Sequence, residues 1–175
     1  LLKIGGVPVP INYRLAANEI KYIVDKCGAR LFIFEEALRE PVMAIKDDLQ
    51  PVERLIYIGG APQGDELTYE DFVVPASDRE PSVGAGLDDT AFIMYTSGTT
   101  GFPKGVVRNH GFLRNQVDRV HHLGTTETDV IYNYLPLFHI FGYLDGPMLS
   151  MATGNRQILT ETFDAEACLD AVEAE

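Results

Sequence analysis

The residues best suited to chemistry lie in one run, Tyr95-Thr96-Ser97-Gly98-Thr99-Thr100-Gly101-Phe102-Pro103-Lys104-Gly105-Val106. Gly98, Gly101 and Gly105 allow a backbone to approach a ligand closely and to adopt positive φ. The hydroxyls of Thr96, Ser97, Thr99 and Thr100 add donors that can also lean on a bound metal. Lys104 supplies a point cation suited to phosphate oxygens, and successive backbone N–H groups in such a loop form an anion-binding concavity. A glycine-rich stretch is often only a flexible turn. Here the density of hydroxyls and the Pro-Lys-Gly ending favour a polyphosphate grip. It is not a Walker A loop, which needs Gly immediately before the lysine and Ser or Thr immediately after it. Pro103 and Gly105 stand in those places.

Other candidates are weaker. His139 lies in the apolar run Leu137-Phe138-His139-Ile140-Phe141-Gly142 and, taken alone, reads as a satisfied histidine at a strand-to-helix turn. His121 and His122 are helical neighbours that point about 100° apart, so they cannot chelate one metal together. His110 reads as a residue near a helix start. Ser97 lacks a surrounding GxSxG elbow, which disfavours a hydrolase triad. Asp88 and Asp89 could be metal ligands, although acidic turn residues are commoner. Cys27 and Cys168 fall on apolar helical stripes and read as packed core residues.

These groups must be carried by a scaffold, and the pattern of the chain describes one. With 175 residues, 46% apolar and 23% charged, the chain suits one globular domain or a large piece of one. Fourteen basic against 26 acidic residues give a net charge of −12, which argues against a general binder of nucleic acid or anionic membrane. Any anion held here needs a local device. Two distant cysteines exclude a disulfide framework and fit a reducing, cytoplasmic setting. No apolar stretch approaches the roughly 20 residues of a membrane span. Both ends read as cut from something longer.

Ile20, Ile23, Val24 and Cys27 form one helical stripe, with Asn18 as a possible cap and Gly28 as the stop. Residues 31–34 and 55–58 read as buried strands, with Leu38, Val42, Ile45 and Leu49 on a helix between them, Pro41 lying in its first turn or breaking it. Residues 59–88 read as a surface excursion, with a short helix over 69–74. A strand is expected over 91–95, then the glycine-rich loop, exposed through Lys104. Next comes a helix capped by Asn109 and carrying Leu113, Val117 and Val120. Strands over 130–135 and 157–159 flank a helix over 142–152, and a last helix starts at Asp164. Such alternation predicts a layered α/β fold with a mainly parallel sheet and flanking helices.

The run from Tyr95 to Val106 resembles the signature phosphate loop of the adenylate-forming superfamily, which comprises acyl- and aryl-CoA synthetases, non-ribosomal peptide adenylation domains and luciferases. The pattern Tyr-Thr-Ser-Gly-Thr-Thr-Gly-x-Pro-Lys-Gly-Val is met at every fixed position. Lys3 to Asn12, Leu15 to Gly28, and Pro136-Leu137-Phe138-His139 with Gly142 also resemble segments of that family. The whole chain can be laid along the first half to two-thirds of the family's large N-terminal domain, as a fragment of one such domain.

The resemblance implies an enzyme that joins a carboxylate to the α-phosphate of Mg-ATP and passes the acyl group to a thiol. Thr96, Ser97, Gly98, Thr99, Thr100, Gly101 and Lys104 would hold the β- and γ-phosphates, with Lys104 neutralising the departing pyrophosphate. Phe138, His139 and Gly142 would line the acid pocket, His139 as a positioning or gating group. The implied partners are a hydrophobic carboxylic acid, ATP and coenzyme A, with Mg²⁺ but no dedicated metal site in this chain. The family's Tyr-Gly-x-Thr-Glu segment, its ribose-binding aspartate and its C-terminal lysine are absent, so the isolated chain is expected to be catalytically silent. An amino-acid adenylation domain and a truncated, non-catalytic phosphate-binding module are the alternatives.

Overall fold

The computed structural model describes residues 1–60, 62, 66–96 and 101–174. The chain divides into two compact units, one of Ile11–Ser82 with Tyr95–Gly105, the other of Leu1–Pro10, Val83–Met94 and Val106–Glu175.

In the first unit, helix α1 (Ala17–Cys27) precedes strand β1 (Leu31–Glu35), helix α2 (Arg39–Met43), strand β2 (Arg54–Ile58), strand β3 (Leu67–Thr68) and helix α3 (Tyr69–Val73). The three strands form a parallel sheet in the order β1-β2-β3, with Leu31 opposite Arg54 and Ile56 opposite Leu67. Ile20 and Val24 of α1 pack with Ile45 and Leu49, while Phe34, Val42 and Tyr57 form a second cluster. The α1 cap is Ala16 rather than Asn18. The Ala16 N–H donates to Glu19 Oε2 at 2.9 Å, so a carboxylate three residues on does the capping. Gly28 ends the helix at φ 64°, in the left-handed region. Strand β1 is buried on one side only, because Leu31 and Ile33 remain exposed. The helix expected over 38–49 is broken. Pro41 sits in the first turn of α2, which stops at Met43, and a 3-10 turn at Lys46–Asp48 follows.

The excursion after β2 returns to the sheet through a buried ion pair. Arg39 donates to both carboxylate oxygens of Glu66 at 2.9 and 2.8 Å, and the Glu66 side chain is fully enclosed. The Arg39 guanidinium also lies 4.0 Å from the centre of the Tyr57 ring, and Tyr57 donates to Glu36.

The second unit contains most of strand β4 (Thr90–Thr96), most of strand β5 (Lys104–Asn109), helix α4 (Phe112–Leu123), strand β6 (Val130–Asn133), helix α5 (Ile140–Tyr143), helix α6 (Leu149–Thr153), strand β7 (Arg156–Leu159) and helix α7 (Ala165–Ala174). Strands β4 and β5 pair with each other; β6 and β7 pair in parallel, Asn133 opposite Leu159. The core gathers Ala91, Phe92, Met94, Phe112 and Met148, with Phe112 and Tyr143 both edge-on to Phe92.

Several local expectations are corrected here. Lys104 opens a strand instead of closing a loop, and Asn109 ends that strand instead of capping α4, whose cap is Gly111. Helix α4 buries Phe112 and Gln116 and turns Leu113 and Val117 outward. The helix expected over 142–152 is split by a π-type turn, Leu144–Met148, where Gly146 leaves helical geometry immediately before Pro147. Asp164 does cap α7, accepting the Ala167 N–H at 2.8 Å, but α7 buries no residue. Cys168 and Cys27 are only half-buried. Among the described residues no helix is long and apolar enough to cross a membrane.

Candidate functional site

The first cluster is the β4–β5 hairpin and the helix beneath it. Thr96 Oγ1 donates to the Lys104 carbonyl at 3.4 Å, tying the last residue of β4 to the first of β5. Ser97, Gly98, Thr99 and Thr100 lie outside the described residues. Gly101 has φ 145°, and nothing lies within 4 Å of where its Cβ would be. Its backbone conformation, not lack of space, therefore demands glycine. Phe102 stacks on Tyr22 of α1, ring centres 4.6 Å apart and planes inclined by 25°. Pro103 is buried, and Lys104 emerges exposed immediately after it.

The residues beside this cluster are partly buried. Burial pushes the Tyr95 phenol above its ordinary range, helped by Cys27 and Tyr22 nearby. Burial likewise raises the Cys27 thiol, which donates to the Val24 carbonyl at 3.5 Å. Lys104, exposed at the start of β5, presents an ammonium that can meet an anion. Tyr22 was not singled out in the sequence, because an aromatic residue inside α1 carries no mark of its partner 80 residues later.

The second cluster is the turn from β6 into α5. The His139 N–H donates to the Pro136 carbonyl at 3.0 Å, and His139 caps α5, its Nδ1 accepting the Phe141 N–H at 3.3 Å. An accepting Nδ1 puts the proton of the neutral ring on Nε2. His139 therefore presents an exposed N–H donor, suited to orienting an oxygen and unsuited to removing a proton. Phe138 beside it is half-buried. Gly142 is buried, and a Cβ there would overlap the Pro136 carbonyl oxygen and lie 2.8 Å from that of Leu135. Its absent side chain lets α5 lie directly on the turn. Asn133 Nδ2 donates to the Gly142 carbonyl at 3.1 Å.

The structure thus brings Thr96, Gly101 and Lys104 together in one cluster, and Phe138, His139 and Gly142 in another. The remaining polar candidates have local work. His110 is buried beside the turn at 86–89, its N–H donating to the Asp89 carbonyl at 3.0 Å. Asp89 accepts the Gly86 N–H at 2.7 Å, as an acidic turn residue does. His122 Nδ1 meets the Asp118 carbonyl one helical turn back at 2.7 Å.

The chain as a whole is similar to several known proteins. The chain is 32% identical over 177 residues to an indoleacetate–CoA ligase of Aromatoleum aromaticum, covering 99% of this chain and 34% of that protein. It is 34% identical over 165 residues to a long-chain-fatty-acid–CoA ligase of Mycobacterium tuberculosis, covering 93% of this chain and 31% of the relative. The crystal structure of the anthranilate CoA ligase AuaEII in complex with anthranoyl-AMP superposes with a TM-score of 0.87 at 26% identity, over 97% of this chain and 33% of that one. The chain therefore spans about a third of the length of the relatives it matches. The family described as AMP-binding enzyme matches residues 1–175 in full, and the chain belongs to that family.

Proposed function

We propose that this chain forms part of an ATP-dependent acid–thiol ligase, an acyl-CoA synthetase, and that its two units belong to one N-terminal domain. In the proposed reaction a carboxylate oxygen attacks the α-phosphorus of ATP and expels pyrophosphate. The thiol of coenzyme A then displaces AMP from the acyl-adenylate. Thr96, Ser97, Gly98, Thr99, Thr100 and Gly101 hold the β- and γ-phosphates, and Lys104 neutralises the charge that accumulates on the leaving pyrophosphate. Mg²⁺ arrives with the nucleotide. Phe138, His139 and Gly142 shape the wall that receives the acid, His139 offering its Nε2–H to a carboxylate or phosphate oxygen.

The observation that carries this reading is the exposed Lys104 at the mouth of a glycine-bearing hairpin, in a chain similar to several CoA ligases. The likeness to a ligase crystallised with an acyl-adenylate supports the same chemistry. A hydrophobic acid is favoured over an α-amino acid, which needs a free carboxylate to meet its ammonium. Asp145, the acid nearest the turn in sequence, is paired with Arg119. A cytoplasmic location and a role in fatty-acid metabolism fit this reading. The test is ATP–pyrophosphate exchange in the protein that carries this chain, driven by alkyl, aryl and amino acids in turn. Exchange with octanoate, dodecanoate or benzoate is expected; exchange confined to amino acids would overturn the substrate class.

A further inference from the structure

The turn after β6 is held from inside by one side chain that the proposed chemistry does not use. Asn133 is the last residue of β6 and is 5% exposed. Its Oδ1 accepts the Leu135 N–H at 3.1 Å, and its Nδ2 donates to the Gly142 carbonyl at 3.1 Å. One bond fixes the entrance of the turn and the other fixes α5 beyond it. Phe138 and His139 lie in the span between them.

The backbone that carries the carboxamide is itself anchored. The Asn133 carbonyl accepts the Thr160 N–H at 3.3 Å, and its backbone faces Leu159 in the parallel ladder. Space for it comes from Gly146, where a Cβ would overlap Nδ2. Only a side chain with a donor and an acceptor on one short stem makes both bonds. Aspartate keeps the acceptor but turns a second oxygen toward the Gly142 carbonyl. Alanine leaves two groups beneath the turn without these partners.

We infer that Asn133 is a positioning residue for the acid-binding wall: by tying Leu135 to Gly142 it fixes where Phe138 and His139 face, and so sets the affinity for the carboxylic acid. This rests on the reading of Phe138 and His139 as part of that wall. The side chain acts through the turn and touches no reacting atom.

The test uses Asn133→Asp and Asn133→Ala in the protein that carries this chain, with octanoate, dodecanoate and benzoate as the acids. The expected result is a rise in KM for the acid of about tenfold, the scale of two lost positioning bonds, with KM for ATP unchanged within about twofold. A merely structural role would lower the active fraction, and with it apparent kcat, leaving both KM values alone. Phe112→Leu, which loosens the core of the same unit, serves as that reference. If the aspartate variant does not fold, the alanine variant, which adds no charge, decides the matter. His139→Ala separates the two levels of the argument. A raised acid KM in His139→Ala with none in the Asn133 variants overturns the inference alone. No change in His139→Ala overturns the wall itself, and the inference with it.

Discussion

The two candidate clusters are built in opposite ways. At the hairpin, the chain from Gly101 to Lys104 is held by a stack on Tyr22 and by the burial of Pro103, and the Lys104 cation stands in solvent. At the turn after β6, a buried carboxamide, a close glycine and a histidine cap hold the backbone at Leu135, Phe141 and Gly142. On the proposed reading the hairpin meets a polyphosphate through an exposed cation, Lys104. On the same reading an acid is presented to one phosphorus in one direction, which a rigid turn favours. If both proposed roles hold, stability and function separate at the hairpin and coincide at the turn.

The sharpest way to break that contrast is Lys104→Ala. Loss of one charge-stabilising group should slow ATP–pyrophosphate exchange by on the order of 10²–10³. Because Lys104 is exposed, the unfolding midpoint should stay where it was. A large loss of stability with little loss of exchange would mean that the hairpin is scaffold. Gly142→Ala probes the opposite case. The new methyl group meets carbonyl oxygens of the backbone, which cannot swing away as a side chain can, so a cost of about 1–3 kcal/mol is expected in urea unfolding. An unchanged midpoint would show that the turn yields, contrary to the rigidity argued for it.

The contrast also explains what could be read from the sequence. The hairpin's candidate residues are contiguous, so the sequence alone marks its hydroxyls, glycines and lysine as a candidate grip. The alternation of strands and helices was legible too, because apolar periodicity reports it directly. Strand β5 was not. Its six residues are all exposed, and only pairing with β4 makes them a strand. The clamp on the turn was equally hidden, since Asn133 and Gly142 are brought together by a helix lying back on a strand end. Nor did the stripe of Leu113 and Val117 choose the buried face of α4, because packing on Phe92 turned Phe112 inward instead.

Two smaller effects sharpen the account of the hairpin. Tyr22→Leu removes the stack on Phe102, a contact of roughly 0.5–1.5 kcal/mol, and should raise KM for ATP about two- to tenfold. A change in KM for the acid instead would place Phe102 with the wrong substrate. The smallest expected signal is chemical. With its thiol pushed up by burial, Cys27 holds less thiolate than a free thiol at the same pH and should be alkylated more slowly. Its rate should still be climbing with pH where an ordinary thiol has levelled off. A rate equal to that of free cysteine would mean that the Cys27 thiol is open to water.

The two hydrophobic centres also set a timetable for synthesis. The sheet β1-β2-β3 and its clusters draw on residues between Ile11 and Thr68, and the Arg39–Glu66 pair closes the last crossover. All of these partners leave the ribosome within one short interval, so this centre can condense while translation continues. The other centre gathers Leu2 with Phe92, Phe112 and Met148, residues far apart in sequence. Its last member, Met148, is made about 150 residues after Leu2. Separations of that size slow folding. The nascent chain therefore passes through a stage with one finished centre and one open, and apolar side chains such as Phe92 stay exposed until Met148 emerges. At that stage a chaperone has most to bind.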